Sequence, residues 1–322
     1  MFKGEEIHPG IVRACLETGT RLAWAGETIQ AEVVALHNPS SLKFDREMPV
    51  RIVCDKFYVV CHENFLRPAQ QQGQEREGFD VAHCLRLIEN GVLARIRLLA
   101  PISANNRKTI VDWLSRHSNT VTWQVDPLDW TNICEFNCVA PVSQPRDRRG
   151  RHSRPGFEKF PGLDVMKVLF PHSAEAVRLL GANDLMLENS RPSHWQCLPF
   201  GAEPVDQFLS TIDFFVYFTN PGWRESFGRV LAEAMAAGKV VITDPETAST
   251  FGAGAICAKP EDVNSVISDL ISDPAAYREQ VLRGQTILGE FSAEAFRRRH
   301  RFRIDRDTSA RTSALEFAHA VF

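Results

Sequence analysis

The sequence predicts an α/β protein of parallel sheets layered with helices, and three observations support this. Residues 213–218 and 239–243 are short, almost wholly apolar runs, typical of strands buried on both faces of a parallel sheet. The segment between them has helical periodicity and no hairpin turn, which indicates a right-handed parallel crossover. The chain has 322 residues, enough for two domains with separate cores. We therefore expect two doubly wound domains.

The first half of the chain alternates between strand-like and helix-like patterns. Ser103 precedes an apolar pattern of helical spacing and is expected to cap that helix. Residues 70–78 are polar and interrupted by glycine, which is typical of a surface loop, expected here on the acceptor side of a cleft, or of a disordered segment. The predicted helices are 11–18, 81–89 and 105–114, and the predicted strands are 31–36, 50–54, 57–61, 94–99 and 121–125.

A connection between the two domains is expected at residues 126–145. This stretch contains tryptophan and proline, has no sustained period, and leads into a cluster of charged residues. The predicted N-terminal domain is therefore 1–145, including the connection. The predicted C-terminal domain is 146–300, and a C-terminal tail occupies 301–322.

The second half alternates more regularly, as expected of a doubly wound domain. Gly238 stands where a left-handed C-terminal cap ends one helix, and Pro260 stands at the favoured first turn of another. The predicted strands are 165–170, 195–200, 213–218, 239–243 and 255–259. The predicted helices are 173–180, 205–211, the one that follows Ser226, 274–288 and one from Ala293 onward.

The turn between residue 218 and the next helix is the strongest candidate for a binding site. Ligands of open parallel sheets bind outside the carboxyl ends of the strands, where this turn is expected. Ser226 is the predicted N-cap, and Glu225 just before it would project into the crevice. The free backbone amides of Ser226, Phe227 and Gly228 would present partial positive charge to an anion.

A second carboxylate, Glu233, follows Glu225 by eight positions. Carboxylates accept hydrogen bonds from paired hydroxyls, as an acidic residue does when it binds a ribose. Two carboxylates flanking a helix N-terminus therefore suit a ligand with several hydroxyls and a phosphate group. An ordinary helix with two surface glutamates is the alternative.

Glu225-x7-Glu233, within the string ESFGRVLAEAMAAGKVVIT, resembles the signature of the family 4 retaining glycosyltransferases. The resemblance implies the GT-B fold, in which two Rossmann-like domains face a cleft. It implies that the first glutamate contacts the hydroxyls of the donor sugar and that the second holds the nucleotide ribose. The amides between them would approach the sugar and the phosphates.

A basic stretch over residues 146–161 stands at the start of the predicted C-terminal domain. The resemblance extends to it, because Gly150-Arg151 followed by Lys159 matches a family pattern that contacts the donor diphosphate, with a longer spacer here. Arginine offers a bidentate fork to phosphate and lysine a point charge. Arg154 is a further candidate, and a basic linker that keeps the hinge soluble is the alternative.

Two histidines, His37 and His62, stand at the ends of predicted strands in the first half. The strings VVALHNPSS and YVVCHENF resemble the places where the family carries histidines in its N-terminal domain. The resemblance implies that His37 meets the donor sugar. A hydrogen-bonded loop histidine is the alternative at both positions.

Composition excludes several other classes of protein. The net charge of -3 gives no reason to expect nucleic-acid binding. No apolar run approaches the length of a membrane span and no signal peptide is visible, so we expect a cytoplasmic protein. Cys134 and Cys138 lack a second ligand pair at zinc-finger spacing. We expect no metal and no cofactor, only a nucleotide-diphosphate sugar as donor substrate.

The expected function is transfer of a sugar from a nucleotide diphosphate to an acceptor, with retention of configuration and without a metal. The alternatives are a non-catalytic sugar-nucleotide-binding subunit and a GT-B-fold epimerase or phosphorylase. The family's usual opening of strand, glycine-rich loop and helix is not recognisable here. We therefore expect a reduced N-terminal domain; either a partner chain completes it or the chain is a shortened form. A solvated face is the default interpretation of the basic helix from Ala293. The resemblance implies that this helix packs back on the N-terminal domain, and an anionic membrane surface is the other alternative.

Overall fold

A computed structural model describes residues 9–39, 42–43, 47–69, 74–117, 122–188 and 190–304. The chain divides into two compact units. The first unit comprises Met1–Arg67, Glu75–Thr131 and Arg299–Phe322, and the second comprises Pro68–Gln74 and Asn132–Arg298.

The elements of the first half follow the predicted alternation. They are α1 (Pro9–Thr18), β1 (Thr28–His37), β2 (Arg51–Cys61), β3 (Leu66–Pro68), β4 (Glu75–Glu77), α2 (Val81–Gly91), β5 (Val92–Pro101), α3 (Ala104–Arg116) and β6 (Gln124–Val125). Strands β1, β2, β5 and β6 form a parallel sheet in that order. As predicted, Ser103 caps α3, accepting a hydrogen bond from the amide of Asn106 at 3.0 Å.

Two predictions in the first half need correction. The predicted strands 50–54 and 57–61 are one strand, β2, because the backbone stays paired through the polar residues between them and Lys56 lies opposite Ile96 of β5. The predicted loop 70–78 is only partly a loop, because β4 pairs with β3. Residues 70–73 lie outside the described part of the chain.

The second unit contains the regular alternation that the sequence predicted. Its principal elements are β7 (Arg148–His152), α4 (Leu163–Leu169), β8 (Ala176–Leu180), α5 (Asn183–Met186), β9 (Trp195–Leu198), α6 (Val205–Ser210), β10 (Phe214–Tyr217), α7 (Arg229–Ala236), β11 (Val240–Thr243), α8 (Pro245–Ala248), β12 (Ile256–Cys257), α9 (Val263–Ser272) and α10 (Pro274–Leu288). Helix α11 (Ala293–Ile304) ends the described chain, and its residues from Arg299 belong to the first unit.

The sheet of the second unit has the strand order β12-β11-β10-β7-β8-β9, and the pairs are parallel. The chain builds β7, β8 and β9 towards one edge, then returns to place β10 on the other side of β7. This is a doubly wound sheet, and the order reverses between β7 and β10. Ligands of such sheets bind at the carboxyl ends of the strands at this reversal.

Residues 163–180 fold in the opposite sense to the prediction. The predicted strand 165–170 lies in helix α4 and its C-cap, and the predicted helix 173–180 contains strand β8. In α4 the residues Met166, Leu169 and Phe170 are buried whereas Lys167 and Val168 are exposed, which is helical spacing. A six-residue stretch with five apolar residues does not distinguish a buried strand from a short helix, and the prediction of a strand at 165–170 was therefore wrong.

The basic stretch 146–161 contains the central strand of the sheet instead of forming only a loop. Strand β7 was hidden because three of its five residues are arginines. Charge pairing makes their burial possible. Arg148 donates two hydrogen bonds to the buried carboxylate of Asp213 at 2.7 and 2.8 Å, and Arg149 pairs with Asp147 at 2.6 Å.

Helix α7 begins at Arg229, two residues later than predicted, and Ser226 is not its N-cap. Gly228 occupies the N-cap position in the left-handed conformation, with φ of 84°, and being a glycine it provides no side-chain cap. The loop from Phe218 to Gly228, hereafter the Glu225 loop, is therefore longer than expected.

Two residues of helix α11, Arg299 and His300, contact residues near position 130. Arg299 donates a hydrogen bond to Thr131 at 2.7 Å, and the ring of His300 lies 5.3 Å from that of Trp130. Residues 305–322, most of the predicted tail, lie outside the described part of the chain. No helix in the described ranges is both long enough and apolar enough to cross a membrane.

Candidate nucleotide-sugar site

The Glu225 loop starts at the end of β10, beside the reversal point of the sheet, and its far end is fixed by aromatic packing. The buried ring of Phe227 lies 5.7 Å from Phe251 and 5.2 Å from Phe291, and these two rings also pack together at 5.6 Å. Phe227 is thus an apolar anchor of the loop, and only its backbone amide is available for the predicted contact with a ligand.

Glu225 is held in the loop by a lysine and a tyrosine. The Lys159 ammonium donates to both carboxylate oxygens, at 2.9 and 3.1 Å, and the Tyr217 hydroxyl donates to Oε2 at 2.7 Å. The side chains of Lys159 and Glu225 are 8% and 15% exposed. The structure therefore brings together two of the predicted site residues, 66 positions apart in sequence.

Arg151 lies beneath this pair and is fully buried. Its guanidinium lies 4.4 Å from the ring centres of both Phe160 and Tyr217. One terminal nitrogen donates to the carbonyl of Phe218 at 2.5 Å and the other to the carbonyl of Lys159. Arg151 therefore ties the start of the Glu225 loop to the segment that carries Lys159, and its predicted contact with phosphate stays a prediction.

Burial alters the acidity of all three residues packed around Glu225. It lowers the pKa of Arg151 to about 10, and it lowers the pKa of Lys159 against the opposing effect of Glu225. It raises the pKa of Tyr217, an effect that Glu225 reinforces. Arg151 remains a cation near neutral pH, so Arg151, Lys159 and Glu225 together carry one positive charge in excess. An anion such as a phosphate group would compensate this charge.

Glu233 lies in α7 and has its own partners. Its Oε1 accepts a hydrogen bond from Arg229 at 2.9 Å, and its Oε2 lies 3.6 Å from Nε2 of the buried His152. Its side chain is 23% exposed, so the carboxylate is reachable by a ligand while being oriented by the protein.

The two glutamates are connected to neighbouring strands at the reversal point. Strands β7 and β10 pair with Phe215 opposite Gly150, and His152 and Tyr217 each lie two residues further along their own strand, at its end. Tyr217 contacts Glu225, and His152 lies next to Glu233. Both carboxylates are thus placed at the carboxyl ends of the two strands between which the sheet reverses.

Two other predicted residues have structural surroundings that do not point to a ligand. Gly150 is buried inside β7, where a Cβ atom would meet Ile212 at 2.8 Å and the carbonyl of Arg178 at 2.9 Å. Arg154 has a side chain that is 60% exposed and pairs with Glu158 at 3.2 Å. The contacts predicted for both residues stay predictions, as does the anion contact of the Ser226 and Gly228 amides.

The predicted histidines of the first half lie in the first unit. His37 is the last residue of β1, and its ring is 6.1 Å from that of His62 and 6.2 Å from that of Trp130. Burial, with a smaller contribution from His37, lowers the pKa of His62 to about 4. The predicted contact of His37 with a sugar stays a prediction.

Sequence reasoning missed three residues that the structure places in the site. Tyr217 was assigned only to a buried strand, and His152 and Trp223 were given no role. The ring of Trp223 lies 4.9 Å from the ammonium of Lys159, a cation–π contact. Tyr217 and His152 each end a strand, and Trp223 lies two residues before Glu225, which is the signal that could have drawn attention to them.

The described residues contain no group of three or more histidine, cysteine, aspartate or glutamate side chains arranged to hold a metal ion. Cys134 is buried and Cys138 exposed, and both are free thiols.

Two compact units, each built on a parallel sheet, with a carboxylate–lysine cluster at the reversal point of the second, define a protein of the GT-B fold. Solved structures with this fold are similar over most of the chain. TarM aligns with a TM-score of 0.55 at 14% identity, over 80% of this chain and 55% of its own. HepE of Anabaena, in complex with UDP-glucose, aligns with a TM-score of 0.52 at 14% identity, over 79% of this chain and 78% of its own.

A third similar structure is the pneumococcal O-GlcNAc transferase GtfA in complex with UDP and GlcNAc, with a TM-score of 0.53 at 13% identity. It aligns over 83% of this chain and 59% of its own. The chain thus spans only slightly more than half the length of TarM and of GtfA. No protein-family model and no curated protein sequence matches the chain. At 13–14% sequence identity, the similarity to these solved structures establishes the fold alone.

Proposed function

We propose that this protein is a glycosyltransferase of the retaining, family 4 type, which transfers a sugar from a nucleotide diphosphate to an acceptor. The observation that supports it best is the buried cluster of Lys159, Glu225 and Tyr217 at the reversal point of the sheet. A carboxylate suits sugar hydroxyls, and adjacent buried cations suit the diphosphate of the same donor.

Each residue of the site has a role in this proposal. Glu225 accepts hydrogen bonds from the donor sugar, and Lys159 donates to the diphosphate. Arg151 adds positive charge next to Lys159 and holds the start of the Glu225 loop against the segment that carries Lys159. Glu233 accepts hydrogen bonds from the ribose, and the amides of the Glu225 loop approach the phosphates.

The proposed chemistry depends on electrostatic stabilisation of the leaving group. Breaking the sugar–phosphate bond develops positive charge on the sugar and negative charge on the diphosphate. Fixed cations therefore stabilise the transition state more than the ground state. Arg151 and Lys159 supply that charge without a metal ion or a cofactor, so metal independence is part of the proposal.

The hydrogen bonds that Glu225 accepts support retention of configuration without a protein nucleophile. The Lys159 ammonium and the Tyr217 hydroxyl both donate to its carboxylate, which makes it a poor nucleophile and a well-oriented acceptor. Front-face attack assisted by the departing phosphate requires no protein nucleophile.

UDP is the nucleotide to test first. HepE, GtfA and an α-glucosyltransferase were each solved with UDP, the last together with a 13-mer DNA that contains a modified base. The acceptor is proposed only as a glycan, lipid or small molecule. A cytoplasmic site of action, peripheral contact with a membrane and a partner chain also remain proposals; one similar structure is a complex of GtfA with GtfB.

The proposal is tested by incubating the protein with UDP-sugars and measuring UDP release with and without a panel of acceptors. We expect acceptor-dependent release that falls by about 100-fold or more in Glu225→Gln, while UDP binding by calorimetry changes less than tenfold. Arg178→Lys is a control, because Arg178 pairs with Glu203 at 2.9 Å and is not among the site residues.

Two results would contradict this proposal. UDP binding without turnover of any acceptor would favour a non-catalytic sugar-nucleotide-binding subunit. Release of free UDP with a rearranged sugar and no acceptor product would favour an epimerase.

A further inference from the structure

A cavity of about 360 Å³ lies in the second unit, outside the candidate nucleotide-sugar site. Its lining comes from the C-terminal half of α4, from the connection between α4 and β8, and from the residues just before β9. Strands β8 and β9 are parallel neighbours, so the chain enters both at the amino edge of the sheet. Glu225 and its partner Tyr217 lie at the carboxyl end of β10. The cavity is therefore a separate place at the opposite edge of the sheet.

Two histidines, His172 and His194, line this cavity. His172 is exposed and His194 is half-buried. Their ring centres are 5.0 Å apart, and their ring planes are inclined by 59°. Two imidazoles that bind one ion at a tetrahedral angle have ring centres about 5 Å apart, because each metal–nitrogen bond is about 2.0–2.1 Å long. The two rings therefore have the separation expected of histidines that share a metal ion.

The orientation of His194 is an independent indication of a metal ion, since aromatic packing alone also permits this separation. Nε2 of His194 lies 3.2 Å from the carbonyl oxygen of Phe170, which can only accept, so Nε2 carries the proton and donates it. Nδ1 is then the nitrogen with a free lone pair. The same carbonyl accepts a hydrogen bond from the buried indole of Trp195 at 2.8 Å, which holds it in place. Metal-binding histidines usually donate their other ring N–H to a carbonyl or carboxylate in this way.

We propose that His172 and His194 together bind one divalent transition-metal ion of the kind that prefers imidazole ligands, with Zn²⁺ as the representative ion. Nδ1 of His194 and one ring nitrogen of the exposed His172 supply two ligands. The described residues offer no cluster of three metal-binding side chains, so water or a ligand from solution fills the other positions. The proposal departs from the sequence-based expectation of no metal. It leaves the proposed reaction metal-independent, because the ion lies at the opposite edge of the sheet from Glu225.

The charge of Lys167, which also lines the cavity, separates a metal site from an anion site. A nearby ammonium group opposes the binding of a cation, whereas it favours the binding of an anion in the same space. Lys167→Gln should therefore strengthen the binding of a metal ion and weaken the binding of an anion. The side chain of Lys167 is exposed, so this substitution leaves the packing of α4 intact.

Titration calorimetry of Zn²⁺ with the whole chain, in a buffer that does not chelate metals, tests the proposal. We expect a Kd of about 10 µM, weaker than that of a structural zinc site with four protein ligands. His172→Gln and His194→Gln should each weaken binding by about tenfold or more, because each removes one of the two protein ligands. Lys167→Gln should tighten binding by about two- to threefold at low ionic strength.

His62→Gln is the matched control. His62 belongs to another pair of neighbouring histidines, in the first unit, whose ring centres are 6.1 Å apart. This variant should leave the affinity for zinc unchanged. Zinc binding that survives in His172→Gln and is lost in His62→Gln would place the ion in the first unit and overturn the proposal.

Anomalous X-ray scattering at the zinc edge, from crystals of the wild type soaked in zinc, locates the ion without any variant. We expect zinc within about 2.0–2.1 Å of one nitrogen of each histidine. Zinc bound elsewhere, no zinc binding in calorimetry, or binding of inorganic phosphate that Lys167→Gln abolishes would each overturn the proposal. These outcomes leave the proposed glycosyltransferase function untouched, because neither experiment contains a nucleotide.

Discussion

The Lys159–Glu225 ion pair is largely buried, so the loss of either partner should destabilise the fold. Removing one member of a buried pair leaves the other charge uncompensated, which typically costs about 3–5 kcal/mol. Removing both members leaves neither of the two charges without its partner and costs less than the sum of the single changes. Because Glu225 also accepts from Tyr217, loss of Lys159 is expected to be the milder single change.

We predict strong non-additivity in a double-mutant cycle of Lys159→Met and Glu225→Gln. Glu225→Gln should lower the free energy of unfolding by about 3 kcal/mol, and the double variant should be at least about 1 kcal/mol more stable than the sum of the single effects. Urea unfolding of the four proteins measures this. Additive effects would show that the pair is not coupled in solution.

His62 illustrates how a single buried imidazole makes stability depend on pH. Its pKa of about 4 in the folded protein lies below the 6.5 of an ordinary histidine, so the unfolded chain binds a proton that the folded chain does not. Stability should therefore be lost as the pH falls from about 6.5 towards 4, by about 2 kcal/mol at pH 5.

The variant His62→Gln should remove this contribution. We predict that the loss of unfolding free energy between pH 7 and pH 5 becomes about 2 kcal/mol smaller in His62→Gln than in the wild type. Urea unfolding at the two pH values measures it, and the exposed His172→Gln serves as a control that should behave as the wild type does. An unchanged pH dependence would mean that His62 is accessible to protons in the folded chain.

The Glu225 loop and α7 show how an element depends on one backbone conformation. Gly228 has φ of 84°, and a Cβ atom there would lie 3.2 Å from Leu231 and 3.5 Å from Phe251. A side chain at this position is therefore strained both by the backbone conformation and by the packing of the loop.

We predict that Gly228→Ala lowers the free energy of unfolding by about 1–2 kcal/mol and weakens UDP binding by about tenfold, because the loop that carries Glu225 must shift. Thermal unfolding and calorimetry measure the two effects. Gly162→Ala is the matched control, since Gly162 has φ of -56° and a Cβ atom added there would meet no described atom within 4 Å. Equal effects in both variants would contradict the assigned role of Gly228.

Sequence patterns predicted correctly the buried elements that consist almost entirely of apolar residues. The strands around 213–218 and 239–243 are nearly all apolar, and the structure confirms them as β10 and β11. Strand β7 was missed because three of its five residues are arginines. Arg148 pairs with Asp213, which is distant in the sequence, and the buried Arg149 pairs with Asp147. Ion pairing of this kind has no local signature.

The same limit applies to the site. The spacing of Glu225 and Glu233 was visible in the motif, but the partners that orient them come from other strands. Tyr217 and His152 approach the carboxylates only because β7 and β10 are neighbours in the sheet. That neighbour relation follows from the strand order, which the sequence alone did not specify.

The division into two units allows a test that joins fold and function. The residues assigned to donor binding, from β7 to α7, all lie in the second unit, whereas His37 and His62 lie in the first. A ligand that binds only the folded form stabilises the unit that holds it, by about 2.7 kcal/mol at a concentration 100 times its Kd.

We predict that UDP at 100 times its Kd slows amide hydrogen exchange in 148–160 and 214–236, because these segments carry the cluster and the Glu225 loop. Mass spectrometry of peptides from the wild type measures it. Strands β1 and β2 serve as an internal control and should exchange at an unchanged rate. All contacts proposed for UDP, which carries no sugar to be transferred, lie in the second unit. Slowing confined to peptides of the first unit would place the nucleotide elsewhere and contradict the assigned site. Slowing of 148–160 that is lost in Lys159→Met would tie the protection to the diphosphate contact itself.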